Sequence, residues 1–161
     1  MIEAITSFLA SNIRTTTPLL LAALGVVFSE RAGVVNIGVE GGMLIGAFTG
    51  VVASHYTGSA LVGVAAAMCS GLRVCLVIAY FSITIKANQV IVGTAINIFA
   101  GGLTITLNRL IFGVSTGVTL INSFKEHPIP GLSQIPILGA SIFTQTLPGY
   151  FAFLMVPVAW F

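Results

Sequence analysis

Asn36 and Glu40 stand four residues apart in SERAGVVNIGVEGGMLIGAFTG, residues 29–50, and no other charge follows the Glu30-Arg31 pair in that stretch. On a helix that spacing puts both side chains on one face. Gln89 and Asn97 supply two more amides at the start of and inside a later apolar run, and Arg73 stands alone in the centre of another. One carboxylate and three amides can hydrogen-bond a polar solute, or exchange a proton at Glu40. They do not make a catalytic set: the chain has no Asp, both His lie in expected loops, and no Ser or Cys has a base on a neighbouring turn. No metal set appears either, because Cys69 and Cys75 share one apolar run without His or acidic neighbours and read as packing residues. His55 has no second ligand at metal spacing and reads as a solvated turn residue. No cofactor motif and no Walker-type phosphate loop is present, so if ATP drives this protein, the ATPase is another chain.

The elements that position these groups must be membrane helices. Of the 161 residues, 57% are hydrophobic and 6% charged, and the mean hydropathy is +1.09, whereas a soluble domain is about a quarter charged. Charge-free runs recur at lengths near the roughly 20 helical residues that cross a hydrocarbon core. The runs lack the alternation of barrel strands, and helices satisfy every backbone group in lipid. A net charge of +2 is too small to suggest nucleic acid as a partner, and the scattered basic residues provide no patch for phosphates or anionic lipid. The fold class expected is an all-α integral membrane protein, a polytopic helical bundle of about five spans, the fifth incomplete, with broken or short helices.

Met1 to Arg14 has apolar residues at helical spacing among polar ones and fits a short interfacial helix or a frayed terminus. Thr15 to Ser29 is an uncharged run of fifteen residues, reaching only about 22 Å at ~1.5 Å per residue. It either borrows depth from its flanks or leads into a break at Glu30-Arg31 inside a protein-lined dip. A cleaved signal peptide is excluded by the poor n-region and the lack of a small-x-small site. Val34 to Ala53 is a second span with Glu40 near its middle, and Ser54 to Ser59 a polar turn. Ala60 to Ile85 is a third span of 26 residues with Arg73 central, and Val90 to Phe112 a fourth containing Asn97. Gly113 to Thr146 holds Lys125, Glu126, His127, Pro128, Pro130 and Pro136 and reads as a long functional loop. Leu147 to Phe161 begins a fifth span. With no polar residue after Trp160 and Phe161, the sequence reads as the front part of a longer protein. With the breaks at Arg31 and Lys86 inside, basic residues count three against two in the wrong direction, so charge leaves the topology open.

A charge at mid-bilayer costs ~2.5 to 3.5 kcal/mol even on insertion scales. Glu40 and Arg73 both pose that demand, and Arg73 is too deep to snorkel. Arg73 is therefore expected to pair with Glu40 or to face a water-filled cleft. For Asn36, Glu40, Gln89 and Asn97 two readings stand. They line a permeation path, or they are interhelical hydrogen-bond glue.

The stretch 29–50, with ITIKANQVIVGTAINIFAGGLT at 83–104 and IPGLSQIPILG at 129–139, resembles the membrane permease subunits of bacterial ABC importers. The similarity is greatest to the simple sugar and nucleoside branch of the branched-chain amino acid and ribose permeases. Three collinear segments cover most of the chain. The resemblance implies one transmembrane domain over residues 1–161, the N-terminal half of a longer permease, in the bacterial plasma (inner) membrane. It implies as partners two cytoplasmic ATPases, a second permease subunit and an extracytoplasmic solute-binding protein. Alternating access driven by ATP would carry a nucleoside or simple sugar. It places 113–146 outside and the breaks at Arg31 and Lys86 inside. The chain departs from such relatives in three ways: they are roughly twice as long, Arg73 stands where they are apolar or small, and Gly42 where Met is more usual. A truncated or decaying gene copy would account for all three. The alternatives are an ion-coupled secondary carrier using Glu40 as its proton site and a non-transporting membrane fragment. The solute itself cannot be read from apolar walls and a few amides.

Overall fold

The computed structural model describes residues 2–113, 127–128 and 144–160. The chain forms two units, Met1–Phe28 with Phe124–Phe161, and Ser29–Ser123.

α1 runs unbroken from Ile2 to Arg31 with Pro18 inside it, and all but its last three residues belong to the first unit. This corrects the expectation of an interfacial helix followed by a separate short run. The expected boundary falls at the charge of Arg14, and polar side chains on either side of it bond back onto their own helix. Thr15, Thr16 and Thr17 donate to the carbonyls of Ser11, Asn12 and Ile13 at 3.0, 2.8 and 2.8 Å, and the Asn12 amide donates to Phe8 O at 2.9 Å. Their polar groups are thus satisfied without a loop. Near the other end of the chain, β1 (His127–Pro128) pairs antiparallel with β2 (Thr144–Gln145), His127 opposite Gln145. The helix α5 follows at Leu147–Trp160 and buries Gly149, Ala152 and Ala159. Most of the expected loop 113–146 lies outside the described residues, Lys125, Glu126, Pro130 and Pro136 among them.

The second unit begins in the last turn of α1, at Ser29. Gly33 takes φ +82°, donates to Glu30 O at 2.9 Å, and Val34 donates to Ser29 O at 3.0 Å. This left-handed residue with a six-to-one bond is the Schellman way of closing a helix, and glycine adopts it without steric cost. Then come α2 (Val39–Thr57), α3 (Ala60–Ala79) continued by a π-helical turn at Tyr80–Thr84, and α4 (Gln89–Phe112). The expected third and fourth spans match α3 and α4 closely. The second does not, because α2 starts five residues later than expected at Val39. Glu40 is therefore in its first turn rather than near mid-span, and Asn36 precedes the helix, so the two share no helical face. The expected turn Ser54 to Ser59 shrinks to Gly58 and Ser59, since α2 runs to Thr57. His55 is a last-turn residue whose ring meets Phe112 edge-on at 5.3 Å.

α2 lies between α3 and α4 and packs on both, while α3 and α4 touch sparsely. It crosses α3 where a Cβ on Gly63 would lie 2.8 Å from Gly50 O, so glycine at 63 permits that approach. Beside this crossing, the hydroxyls of Thr49 and Ser70 are 2.6 Å apart. Among the described residues three helices are long and apolar enough to cross a membrane, at Ile5–Arg31, Ala60–Thr84 and Gln89–Phe112; Leu147–Trp160 is a shorter apolar helix. The architecture is all-α and polytopic, with a broken connection between α1 and α2.

Candidate functional site

The site is built on the break. Residues 32–38 are non-helical, so their backbone groups need partners from outside the segment. α4 supplies partners from Gln89 and Asn97, which with Gly93 fall on one helix face at four-residue intervals. Val35 N–H donates to Gln89 Oε1 at 2.7 Å. The Asn97 amide donates to Ile37 O at 3.0 Å, and its Oδ1 accepts from Gly41 N–H at 2.7 Å. Between the two amides, a Cβ on Gly93 would lie 2.8 Å from both Gly38 N and Ile37 Cβ. The segment rests directly on the α4 backbone.

Asn97 does for α2 what a capping residue does in sequence. Gly38, at the N-cap position, has no side chain to offer, and an amide from another helix takes one of the orphan donors of the first turn. Glu40 lies in the same turn with its side chain exposed. A carboxylate there is favoured by the positive end of the helix dipole.

Two buried polar atoms close to the segment have no hydrogen-bond partner, Asn36 Oδ1 and Ser82 Oγ. Ser82 belongs to the π-helical turn and is 8% exposed. It follows Ile78 by one turn, and Ile78 Cδ1 is 2.6 Å from where a Cβ of Gly38 would sit. π-Turns are frequent at functional positions. The lysine that follows, Lys86, adopts φ +57°, and Asn88 then caps α4 by accepting from Val90 N–H at 3.0 Å.

The four polar residues singled out in sequence thus converge on one place, though in two different capacities. Gln89 and Asn97 hold the backbone of the break, while Asn36 and Glu40 belong to the break and to the turn it opens into. Gly93 and Ser82 were not anticipated. The interval of four from Gln89 to Gly93 to Asn97 is a signal for the first; nothing in the sequence marks the second. The structure does not bring Glu40 and Arg73 together. Both are exposed, and among the described residues neither has an ion-pair partner. The physical reason is the helix register: the row of α3 that meets α2 is Gly63, Ala67, Ser70, Val74 and Ile78, and Arg73 projects roughly 100° away from it. What the site offers chemically is a carboxylate, unpaired amide and hydroxyl oxygens, and helix-terminal amides. Among the described residues no group of three His, Cys, Asp or Glu could hold a metal.

Comparison with known proteins fits this picture. The family model described as branched-chain amino acid transport system / permease component matches residues 8–161. The chain is 36% identical over 168 residues to the guanosine ABC transporter permease protein NupQ of Bacillus subtilis, covering all of this chain and 53% of that protein. It is 39% identical over 157 residues to TsgC13 of Haloferax volcanii, named for glucose transport, covering 95% of the chain and 46% of that protein. It is 32% identical over 169 residues to the nucleoside ABC transporter permease protein NupC of Lactococcus lactis, with 53% of that protein covered. No solved structure matches. The chain spans about half the length of these relatives. Its apolar helices and its relatives place it as a multi-pass protein of the plasma membrane. The chain belongs to the family of branched-chain amino acid transport system permease components.

Proposed function

We propose that this chain is the membrane subunit of an ATP-driven importer and that its broken α1–α2 connection lines the path of a nucleoside or simple sugar. The observation that carries the reading is the gathering of Asn36, Glu40, Gln89 and Asn97 at one break, with a carboxylate exposed and an amide oxygen unpaired. Irregular backbone at membrane depth is tolerated where it is buried in protein or lines a cavity, and such breaks are where transporters bind solutes. The relatives named for guanosine, nucleosides and glucose support the class of cargo. In this reading Gln89 and Asn97 hold the segment, and Asn36 and Glu40 face the solute. Cytoplasmic ATPases supply the energy, an extracytoplasmic binding protein delivers the cargo, and a second permease subunit completes the path.

The test is uptake of labelled guanosine and ribose into vesicles carrying the assembled importer. Uptake is expected to require the ATPase, to survive a protonophore, and to fall at least tenfold in Glu40→Gln. Uptake that a protonophore abolishes, and that ignores loss of the ATPase, would instead make Glu40 the proton site of an ion-coupled carrier.

A further inference from the structure

The end of α3 carries two local costs within one short stretch. In the π-helical turn Tyr80–Thr84 the Ile85 N–H donates to Tyr80 O, five residues back, at 3.2 Å, and the Ala87 N–H reaches Phe81 O at 3.0 Å. Each hydrogen-bonded loop of such a turn holds one residue more than an α turn. Lys86 follows at φ +57°, a left-handed conformation that glycine takes freely and a residue with a Cβ does not. The Ser82 hydroxyl is buried within the turn and has no hydrogen-bond partner, which native interiors rarely tolerate. Thr49, Thr94 and Thr104, in regular α-helix, each donate to the carbonyl four residues back. Ser82 does not.

Both costs are relieved in an α register. There the Ile85 N–H donates to Phe81 O, the Ser82 hydroxyl has the Ile78 carbonyl one turn back as its acceptor, and the residue set free joins the connection to α4, where Lys86 no longer has to be left-handed. The end of α3 is thereby re-phased by one residue step, roughly 100°. What holds the π register lies on either side of it. Before the turn, Ile78 Cδ1 is 2.6 Å from where a Cβ of Gly38 would sit. After it, Gln89 accepts the Val35 N–H at 2.7 Å. Only residues 85–88 separate the turn from α4, too short a connection to absorb the re-phasing while both anchors stay in place. The register of the turn and the hold on the break are therefore linked, each costing what the other relieves.

From these features we infer that Tyr80–Thr84 is a register switch, π-helical while Gln89 holds Val35 and α-helical when that bond opens, so that the end of α3 and the α1–α2 break change state together. The inference rests on the permease reading for the event that throws the switch, ATP binding by the partner ATPase. The experiment uses the assembled importer in vesicles, with Cys69→Ser and Cys75→Ser as background. Ile85→Cys, exposed just past the turn, is labelled with a maleimide with and without ATP; Leu76→Cys, exposed on α3 before the turn, is the control. ATP is expected to change the labelling rate at position 85 at least threefold and to leave position 76 unchanged. A chain lacking Thr84, which is exposed, has lost the surplus residue and is locked in the α register. Its labelling at 85 is expected to ignore ATP, and its uptake of labelled guanosine to fall at least tenfold. Ser82→Ala and Lys86→Gly each remove a cost of the π register. They are expected to raise the unfolding midpoint by about 2 to 4 °C and to slow uptake at least threefold. A raised midpoint with uptake unchanged in both makes the turn merely structural and overturns the switch, whether or not the chain lacking Thr84 folds. Guanosine import under ATP with unchanged labelling at 85 also overturns it and leaves the permease reading intact. Labelling at 85 that responds to ATP in an assembly importing neither nucleosides nor sugars supports the switch and overturns the permease reading.

Discussion

The side-chain oxygen of Asn97 accepts the Gly41 N–H at 2.7 Å, so a residue of α4 caps the first turn of α2 across 56 positions of sequence. A second bond from the same amide, to Ile37 O at 3.0 Å, ties the end of the non-helical segment to the same side chain. Asn97→Ala removes both and leaves the N–H of buried Gly41 without its partner. The expected loss is about 1 to 2 kcal/mol. It is read as a fall of roughly 2 to 8 °C in the unfolding midpoint of the detergent-solubilised protein.

Gly93→Ala is expected to be worse than Gly101→Ala. A Cβ at 93 meets Gly38 N and Ile37 Cβ at 2.8 Å, both held by backbone that Gln89 and Asn97 pin, whereas a Cβ at 101 meets nothing within 4 Å. The first substitution should cost on the order of 1–3 kcal/mol. The second should be neutral or stabilising by up to ~1 kcal/mol, the helix propensity difference. Thermal midpoints of the two variants side by side check the contrast.

How much of this was legible in sequence depended on where the partners lie. α3 and α4 were read nearly to the residue because their ends are marked locally, by Gly58-Ser59, Lys86 and Asn88. α1 reads as two pieces in sequence because the amphipathic pattern with its charges ends at Arg14 and an uncharged run starts at Thr15, while Asn12 and Thr15 to Thr17 put polar side chains at that junction. Nothing in composition reveals that those side chains return to carbonyls four residues back. The start of α2 is not legible in sequence because a left-handed Gly33 and a cap borrowed from α4 leave no signature next to Glu40. The four polar positions themselves were identifiable as types, an amide or acid in an apolar run. Their division into residues that hold the break and residues that belong to it depends on contacts more than fifty residues apart.

Thr49 and Ser70 join α2 to α3 through hydroxyls 2.6 Å apart. Each also has a carbonyl of its own helix within reach, Ile45 O for Thr49 at 2.9 Å and Ala67 O for Ser70 at 2.9 Å. Either hydroxyl can therefore fall back on its own helix when the other is lost. Ser70→Ala and Thr49→Val are each expected to cost under about 1 kcal/mol, with a coupling near ~0.6 kcal/mol in a double-mutant cycle.

Arg73 breaks no ion pair when it is replaced, since among the described residues it has none. It sits in the middle of Ala60–Thr84 with its side chain exposed. On insertion scales an arginine at a helix centre costs ~2.5 to 3.5 kcal/mol. Arg73→Leu is therefore expected to raise the membrane-inserted fraction of an α3 reporter segment. A full-length protein that loses stability on this substitution would show that Arg73 has found a partner in the assembly.

The central claim is that the break between α1 and α2 faces the solute path. It is tested most directly by asking from which side of the membrane Glu40 can be reached. In a background of Cys69→Ser and Cys75→Ser, Glu40→Cys in the assembled importer is exposed to a membrane-impermeant thiol reagent from either side, with and without ATP. A site on an alternating path predicts labelling from one side in the resting state and from the other in the ATP-bound state. Labelling from neither side, or from the same side in both states, would contradict it.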